Sequence, residues 1–382
     1  MSETSSRPIG AAPHLAGFDG LRAIAVVAVA VYHFIHLVPV FPTSEGYPFA
    51  IGAQLRVGVW VFFVLSGFLL YRPYAMAHAG QRPQPDLARY ARARVLRIWP
   101  AYAVAVVVLS YVWHKIEVGG ASGLVVHLSL TQNYVRSQFT FGLGPAWSLV
   151  VEMAFYVSLP LLAWIIGRIA ADRDVWRAEI GSLLVLAALG VAWELATVGH
   201  KLAATMLPGF IPTFAIGMAF AVGAVHDRDF GLSWLARRPW LCWSGAAGLL
   251  VAKGMIGGQD YFEQGFAVHN QIVYSAFAFL VVVPAVFGSH DRPGNRVLRS
   301  RPFHLLGLIS YGVFLWSIPM TEGAQFDWIG PDFPGRNWVV AIAATAATIA
   351  VATASWWLVE RPALRLKDWP RHRVRSASGA RV

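Results

Sequence analysis

From Leu21 to Val40 the chain is almost entirely apolar, and in helical form that run is long enough to cross a bilayer. Four ionisable residues mark it: Asp19 at its start, then Arg22, His33 and His36. A helix turns 100° per residue, so the step from Arg22 to His33 leaves them about 20° apart around the axis and about 16 Å apart along it. Asp19 and His36 fall within about 60° of the same line. The predicted helix therefore carries one polar stripe. With Arg22 at the membrane surface, His33 falls near the midplane, where an ionisable side chain faces protein or a water-filled cavity. A lone histidine there also fits simple helix packing, and Arg22 alone fits a charge at the cytoplasmic edge of a span. Their shared face favours a functional reading for both.

Composition agrees with a membrane chain. Of 382 residues, 57% are hydrophobic and only 13% charged, too few charges to coat a soluble protein of this length. The net charge of +11 does not point to nucleic acid, because the arginines cluster between apolar segments instead of forming a basic stripe with exposed aromatics. A single cysteine, Cys242, excludes a disulfide framework and a cysteine-rich metal site. No metal is expected. Residues 1–17 lack the pattern of a cleavable signal and read as a disordered cytoplasmic lead, so the first span is expected to be retained.

The apolar segments predict an all-α polytopic protein of about ten transmembrane helices with no soluble domain, at about 21–40, 57–75, 98–113, 146–166, 180–198, 208–225, 241–257, 270–288, 305–320 and 338–358. A strongly basic segment leads into the third span, and residues 114–145 form the longest connection, with a short helix near Leu124 to Leu130. With both termini on one side, 25 of the 31 Lys and Arg residues fall on that side and six on the other, which predicts cytoplasmic termini.

Two further sites carry candidate chemistry. Arg94 and Arg97 are three residues apart, which places both guanidinium groups on one helix face, a geometry suited to phosphates. The same arginines also serve as ordinary orientation charges. Glu152 lies about one turn into the fourth span from its outer end, where a carboxylate either pairs for packing or orients a catalytic group.

Taken in order, Phe18-Asp19-Gly20-Leu21-Arg22, the ten-residue gap to His33, Ser66-Gly67-Phe68-Leu69, the Arg94/Arg97 pair, Trp147-Ser148-Leu149 with Glu152, and Val359-Glu360-Arg361-Pro362 resemble the acyltransferase 3 family of bacterial membrane acyltransferases. The resemblance runs over residues 18–366, leaving 367–382 as a basic cytoplasmic tail. It implies ten spans and transfer of an acyl group, typically acetyl from acetyl-CoA, to hydroxyls of carbohydrates or other acceptors. By position, His33 matches the family's essential histidine, Arg22 the arginine before it, Arg94 and Arg97 its paired arginines, and Glu152 its glutamate. Two features depart from the pattern. Phe314-Leu315-Trp316-Ser317 has serine where many members carry histidine. The chain also ends soon after its last predicted span, without the outer esterase-like domain of some members, so its activity is expected from the membrane domain.

These readings converge on an O-acyltransferase of the bacterial cytoplasmic membrane. Arg22, Arg94 and Arg97 would receive the phosphates of acyl-CoA, and His33 would act as base or acyl relay. Glu152 or Asp19 would orient and stabilise His33. The acceptor is a hydroxyl of a sugar, a glycolipid or a macrolide-like molecule of the cell envelope. The alternative is a proton-coupled transporter or exporter that uses the same His, Arg and Glu set.

Overall fold

The computed structural model describes residues 16–38, 47–139, 141–256, 268–288, 293–331, 333 and 335–368. The expected disordered lead, except its last two residues, the start of the loop at 41–54 and nearly all of the basic tail lie outside these. Ten main helices follow: α1 Ala16–Leu37, α2 Gly58–His78, α3 Leu87–Val107, α4 Trp147–Ala170, α5 Val175–Ala196, α6 Leu207–Val225, α7 Pro239–Ile256, α8 Val268–Phe287, α9 Ser310–Glu322 and α10 Arg336–Ser355. No strand occurs among the described residues. The end of the bundle at which α1 begins is called basal below, and the opposite end apical.

Eight of the helices are long and apolar enough to cross a membrane. A ninth span is broken: the short helix Arg301–Leu308 and the helix Ser310–Trp328 meet at 69°. The chain is thus a multi-pass α-helical membrane protein. The seventh expected span, α7, is helical but falls short of the others in apolarity. Its two tryptophans, three glycines and Lys253 dilute the aliphatic residues. It still packs against α8.

Local signals explain where several helices start. The Asp86 carboxylate accepts the Arg89 amide N–H at 2.6 Å, and Asp174 accepts that of Arg177 at 2.9 Å, capping α3 and α5. The cap starts α3 eleven residues before the expected Ile98 and carries Arg94 and Arg97 inside the helix. Three single π-helical stretches, Val108–Val112, Gly323–Trp328 and Trp356–Glu360, extend α3, α9 and α10. Such turns in α-helices gather at functional sites.

Packing centres on α2, the most buried span. At its crossing with α6, a Cβ on Gly67 would press on the Phe214 carbonyl and one on Gly217 on the Val64 carbonyl, so the two backbones touch directly. Around that seam the rings of Phe63 and Phe155 each stack on Phe214, with centroids at 4.7 and 4.0 Å. α1 buries Leu21, Ala25 and Val29 and turns Ile24, Val27 and Val31 outward, the apolar exterior expected of a span in lipid.

The depth expected for His33 shifts. The membrane-length part of α1 is Gly17–Leu37, centred on Val27, which puts Arg22 about 7 Å basal and His33 about 9 Å apical of the middle. The two residues straddle the centre because the helix begins before Arg22, at Ala16, and so Arg22 does not stand at its edge.

Candidate active site

A cavity of about 320 Å³ opens among α1, α2, α3, α4 and α9. Its polar lining includes Asp19, Arg22, Ser66, Arg94, Arg97, Glu152, Tyr156, Tyr311 and Lys367. Five of the six site residues singled out in the sequence thus share one cavity; His33 is not in its wall. Four cations face two carboxylates, so the lining carries a surplus of positive charge.

The arginines are held in three different ways. Arg22 contacts Asp19 at 3.4 Å, one turn back on α1, and Asp19 also contacts the half-exposed His304 at 2.9 Å. Arg97 pairs with Glu360 at 3.4 Å and lies over the Tyr311 ring at 5.8 Å. Glu360 is almost fully buried at 1% exposure, so Arg97 neutralises a charge that has no access to water. Arg94 differs from both. Its guanidinium lies over the Tyr156 ring at 5.9 Å, it pairs with no carboxylate, and its buried Nε has no hydrogen-bond partner among the described residues.

Glu152 sits deep in the same cavity. One carboxylate oxygen accepts hydrogen bonds from Ser66 at 2.7 Å and from Tyr156, one turn along α4, at 2.5 Å. Tyr90 ties α3 to the same turn of α4 by donating to the Tyr156 carbonyl at 3.0 Å. The hydrogen-bonding partners of Glu152 are therefore Ser66 and Tyr156, not the expected His33. Asp19 is engaged with Arg22 and His304, also away from His33.

His33 has one hydrogen-bond partner: its Nδ1 lies 3.0 Å from the Oγ of Ser317 on α9. Both side chains are buried. The other ring nitrogen, Nε2, has no hydrogen-bond partner among the described residues. His36, one turn further, turns its Nδ1 to the Tyr32 carbonyl at 3.1 Å. Among the described residues, no group of three or more His, Cys, Asp or Glu side chains is placed to hold a metal.

Several contributors have no separate role in the sequence reading. Ser317 stands out there only as a departure from a resemblance. Ser66 fits close helix packing as well as it fits a ligand to Glu152. Tyr156 and Tyr311, the rings beneath the arginines, look like ordinary aromatic residues in apolar runs. Glu360 carries the clearest missed signal, a carboxylate placed next to a run of apolar residues at a helix end.

Comparison with known proteins gives the family of this helical membrane bundle. The profile of the acyltransferase 3 family, described as an acyltransferase domain, covers residues 15–357. The chain belongs to this family. It is 26% identical to nodulation protein 10 of Rhizobium leguminosarum bv. viciae, over 93% of the chain and 94% of that protein. It is 24% identical to O-acetyltransferase OatA of Staphylococcus aureus strain NCTC 8325, over 91% of the chain and 57% of OatA. It is also 24% identical to the putative peptidoglycan O-acetyltransferase YrhL of Bacillus subtilis strain 168, over 80% of the chain and 48% of that protein. The chain thus spans about half the length of these last two relatives. No solved structure matches it. It is a membrane acyltransferase of several spans.

Proposed function

We propose that the protein transfers an acyl group, acetyl in the first instance, from cytoplasmic acyl-CoA to a hydroxyl of a cell-envelope carbohydrate or glycolipid. The observation that carries this is the cavity with its surplus of cations and, within it, Arg94, whose guanidinium pairs with no carboxylate among the described residues. Phosphate oxygens suit a planar guanidinium that no carboxylate already occupies. Arg22, Arg94, Arg97 and Lys367 are the residues that would hold the donor's phosphates. The basic residues that dominate the basal loops support a cytoplasmic position for this end of the bundle, the side on which acyl-CoA is available. The donor supplies an activated acyl carbon.

The chain's own residues supply the rest. His33 takes the proton of the attacking hydroxyl, and its single bond to Ser317 holds the ring in one orientation. Glu152, bound to Ser66 and Tyr156, partly balances the arginines and keeps the empty cavity from repelling itself. Hydroxyl acceptors in a glycan are supported by the relatives named O-acetyltransferase and putative peptidoglycan O-acetyltransferase.

The test is acetyl transfer by the purified protein from acetyl-CoA to a cell-envelope glycan, with CoA binding measured separately. His33→Ala is expected to abolish transfer and leave CoA binding in place. Near-normal transfer by a folded His33→Ala protein would falsify this reading.

A further inference from the structure

We infer that Ser317 is the nucleophile of the reaction, taking the acyl group onto its Oγ before the acceptor does, with His33 Nδ1 as its base. This deepens the acyl-transfer reading above and rests on it.

The inference starts from an oddity of hydrogen bonding. A serine or threonine hydroxyl inside a helix usually returns its proton to a carbonyl three or four residues back. Ser310, Ser148, Ser158 and Thr321 all do this, to Gly307, Pro145, Phe155 and Ser317 respectively. Ser317 does not. Its Oγ makes one hydrogen bond, to His33 Nδ1, a residue 284 positions away. A buried hydroxyl proton left without an acceptor costs more than an unused lone pair. Nδ1 is the partner this Oγ has among the described residues, so in this proposal Ser317 donates and the histidine proton sits on Nε2. A hydroxyl that donates to a neutral imidazole is the arrangement that activates a serine for attack.

Helix geometry aims the pair at the donor. Ser310 lines the charged cavity, and Ser317 is seven residues beyond it on α9, within about 20° of the same direction and about 10 Å further along. Arg22 and His33 have the same relation on α1, within about 20° and about 16 Å apart. The helix faces that meet at the cavity are therefore the faces that meet at the pair. Phe314, midway between Ser310 and Ser317, lines the cavity between the two levels.

The steps balance. As Oγ attacks the thioester carbonyl, the O–C bond forms and the C–S bond breaks. The serine proton passes to Nδ1 and from there to the departing thiolate. In the second half, the acceptor oxygen attacks the acyl-serine, its proton passes to Nδ1, and the breaking Oγ–C bond reclaims that proton. No metal or redox partner is needed, and Nε2 keeps its proton throughout.

The test uses the full chain in detergent and two independent probes. A fluorophosphonate, which labels activated serines whatever the natural donor, is expected to modify Ser317 in the native protein and not in His33→Ala or Ser317→Ala. Acetyl-CoA without acceptor is expected to leave one acetyl group on the Ser317 peptide, seen by mass spectrometry. Ser317→Ala should lose transfer by about a thousandfold or more while CoA binding shows that the fold survives. Ser317→Cys keeps a nucleophile of similar size and should collect acetyl as a hydroxylamine-labile thioester. Transfer that survives Ser317→Ala within a few-fold, or acetyl found on His33 with Ser317 unmodified, overturns the inference. A wrong donor gives a different signature: Ser317 still takes the fluorophosphonate, but the native protein transfers nothing from acetyl-CoA.

Discussion

At the basal level Arg22, Arg94 and Arg97 stand in a cavity of about 320 Å³, resting against tyrosine rings or carboxylates. Some 10 Å further along α9, His33 and Ser317 share a single hydrogen bond between buried side chains, with no charged partner. The lower region holds charge and room, and the upper one holds the proposed nucleophile and base. Attraction for an anionic donor decays slowly with distance, so it tolerates loose geometry and some water. Proton transfer needs heavy atoms within about 3 Å and a ring that keeps still, which a dry, packed location provides. Separating them lets the arginines bind phosphate without drawing the imidazole into an ion pair that would protonate it and end its use as a base.

Substitutions should therefore fall into two groups, and the largest effect belongs to the upper region. His33→Ala should reduce the rate constant by about a hundredfold to ten-thousandfold with the Kd for CoA unchanged. Equal losses in binding and rate would mean that the two regions are not separate. Next comes Arg97→Ala, which strands the buried Glu360 carboxylate. Breaking such a pair costs about 3–5 kcal/mol when both ends are buried, and less here because Arg97 is partly exposed. A thermal-melt shift of several degrees should accompany any change in affinity. A melt unchanged from native would show that Glu360 finds another partner.

Arg94 gives the cleaner reading of binding because it pairs with no carboxylate. A lost charge-assisted hydrogen bond is worth about 1.5–3 kcal/mol, so Arg94→Ala should weaken CoA about ten- to a hundredfold with little effect on the melt. Arg94→Lys should recover part of this, since an ammonium cannot make the two-pronged contact. Titration calorimetry in which Arg94→Ala matches native would return this arginine to a role in orientation alone. The smallest effect is that of salt. Raising ionic strength should weaken CoA binding a few-fold through screening and leave single-turnover acyl transfer at saturating donor unaltered. A chemical step that slows in parallel would place charge at the upper region after all.

Much of this was legible in the sequence, for reasons tied to single residues. Helices in lipid must satisfy their own backbone, so apolar length alone predicts them, and the first, second, fourth to sixth and eighth spans sit close to their expected places. The third span begins well before its apolar run because Asp86 caps it, and a cap can lie in polar sequence that hydropathy passes over. The ninth is bent by 69°, which one-dimensional apolarity cannot express. Periodicity on α1 puts Arg22 and His33 on one face, but it says nothing of what α9 brings to meet them. Ser317 and His33 are far apart in the chain, and serine is common enough in membrane helices that its pattern carries no signal. Glu152 shows the same limit: its position is readable, but its partners Ser66 and Tyr156 come from packing.

The break at Ile309 has one more consequence. Because the chain turns there, α9 begins inside the protein, with Ser310 and Tyr311 in the cavity wall and no side chain capping its first turn. The peptide dipoles of α9 add up to about half a positive charge at that end, beside the wall of the cavity. Side chains can be removed one at a time, but this part of the field belongs to the backbone. With any one arginine replaced, this backbone share of the attraction for anions remains.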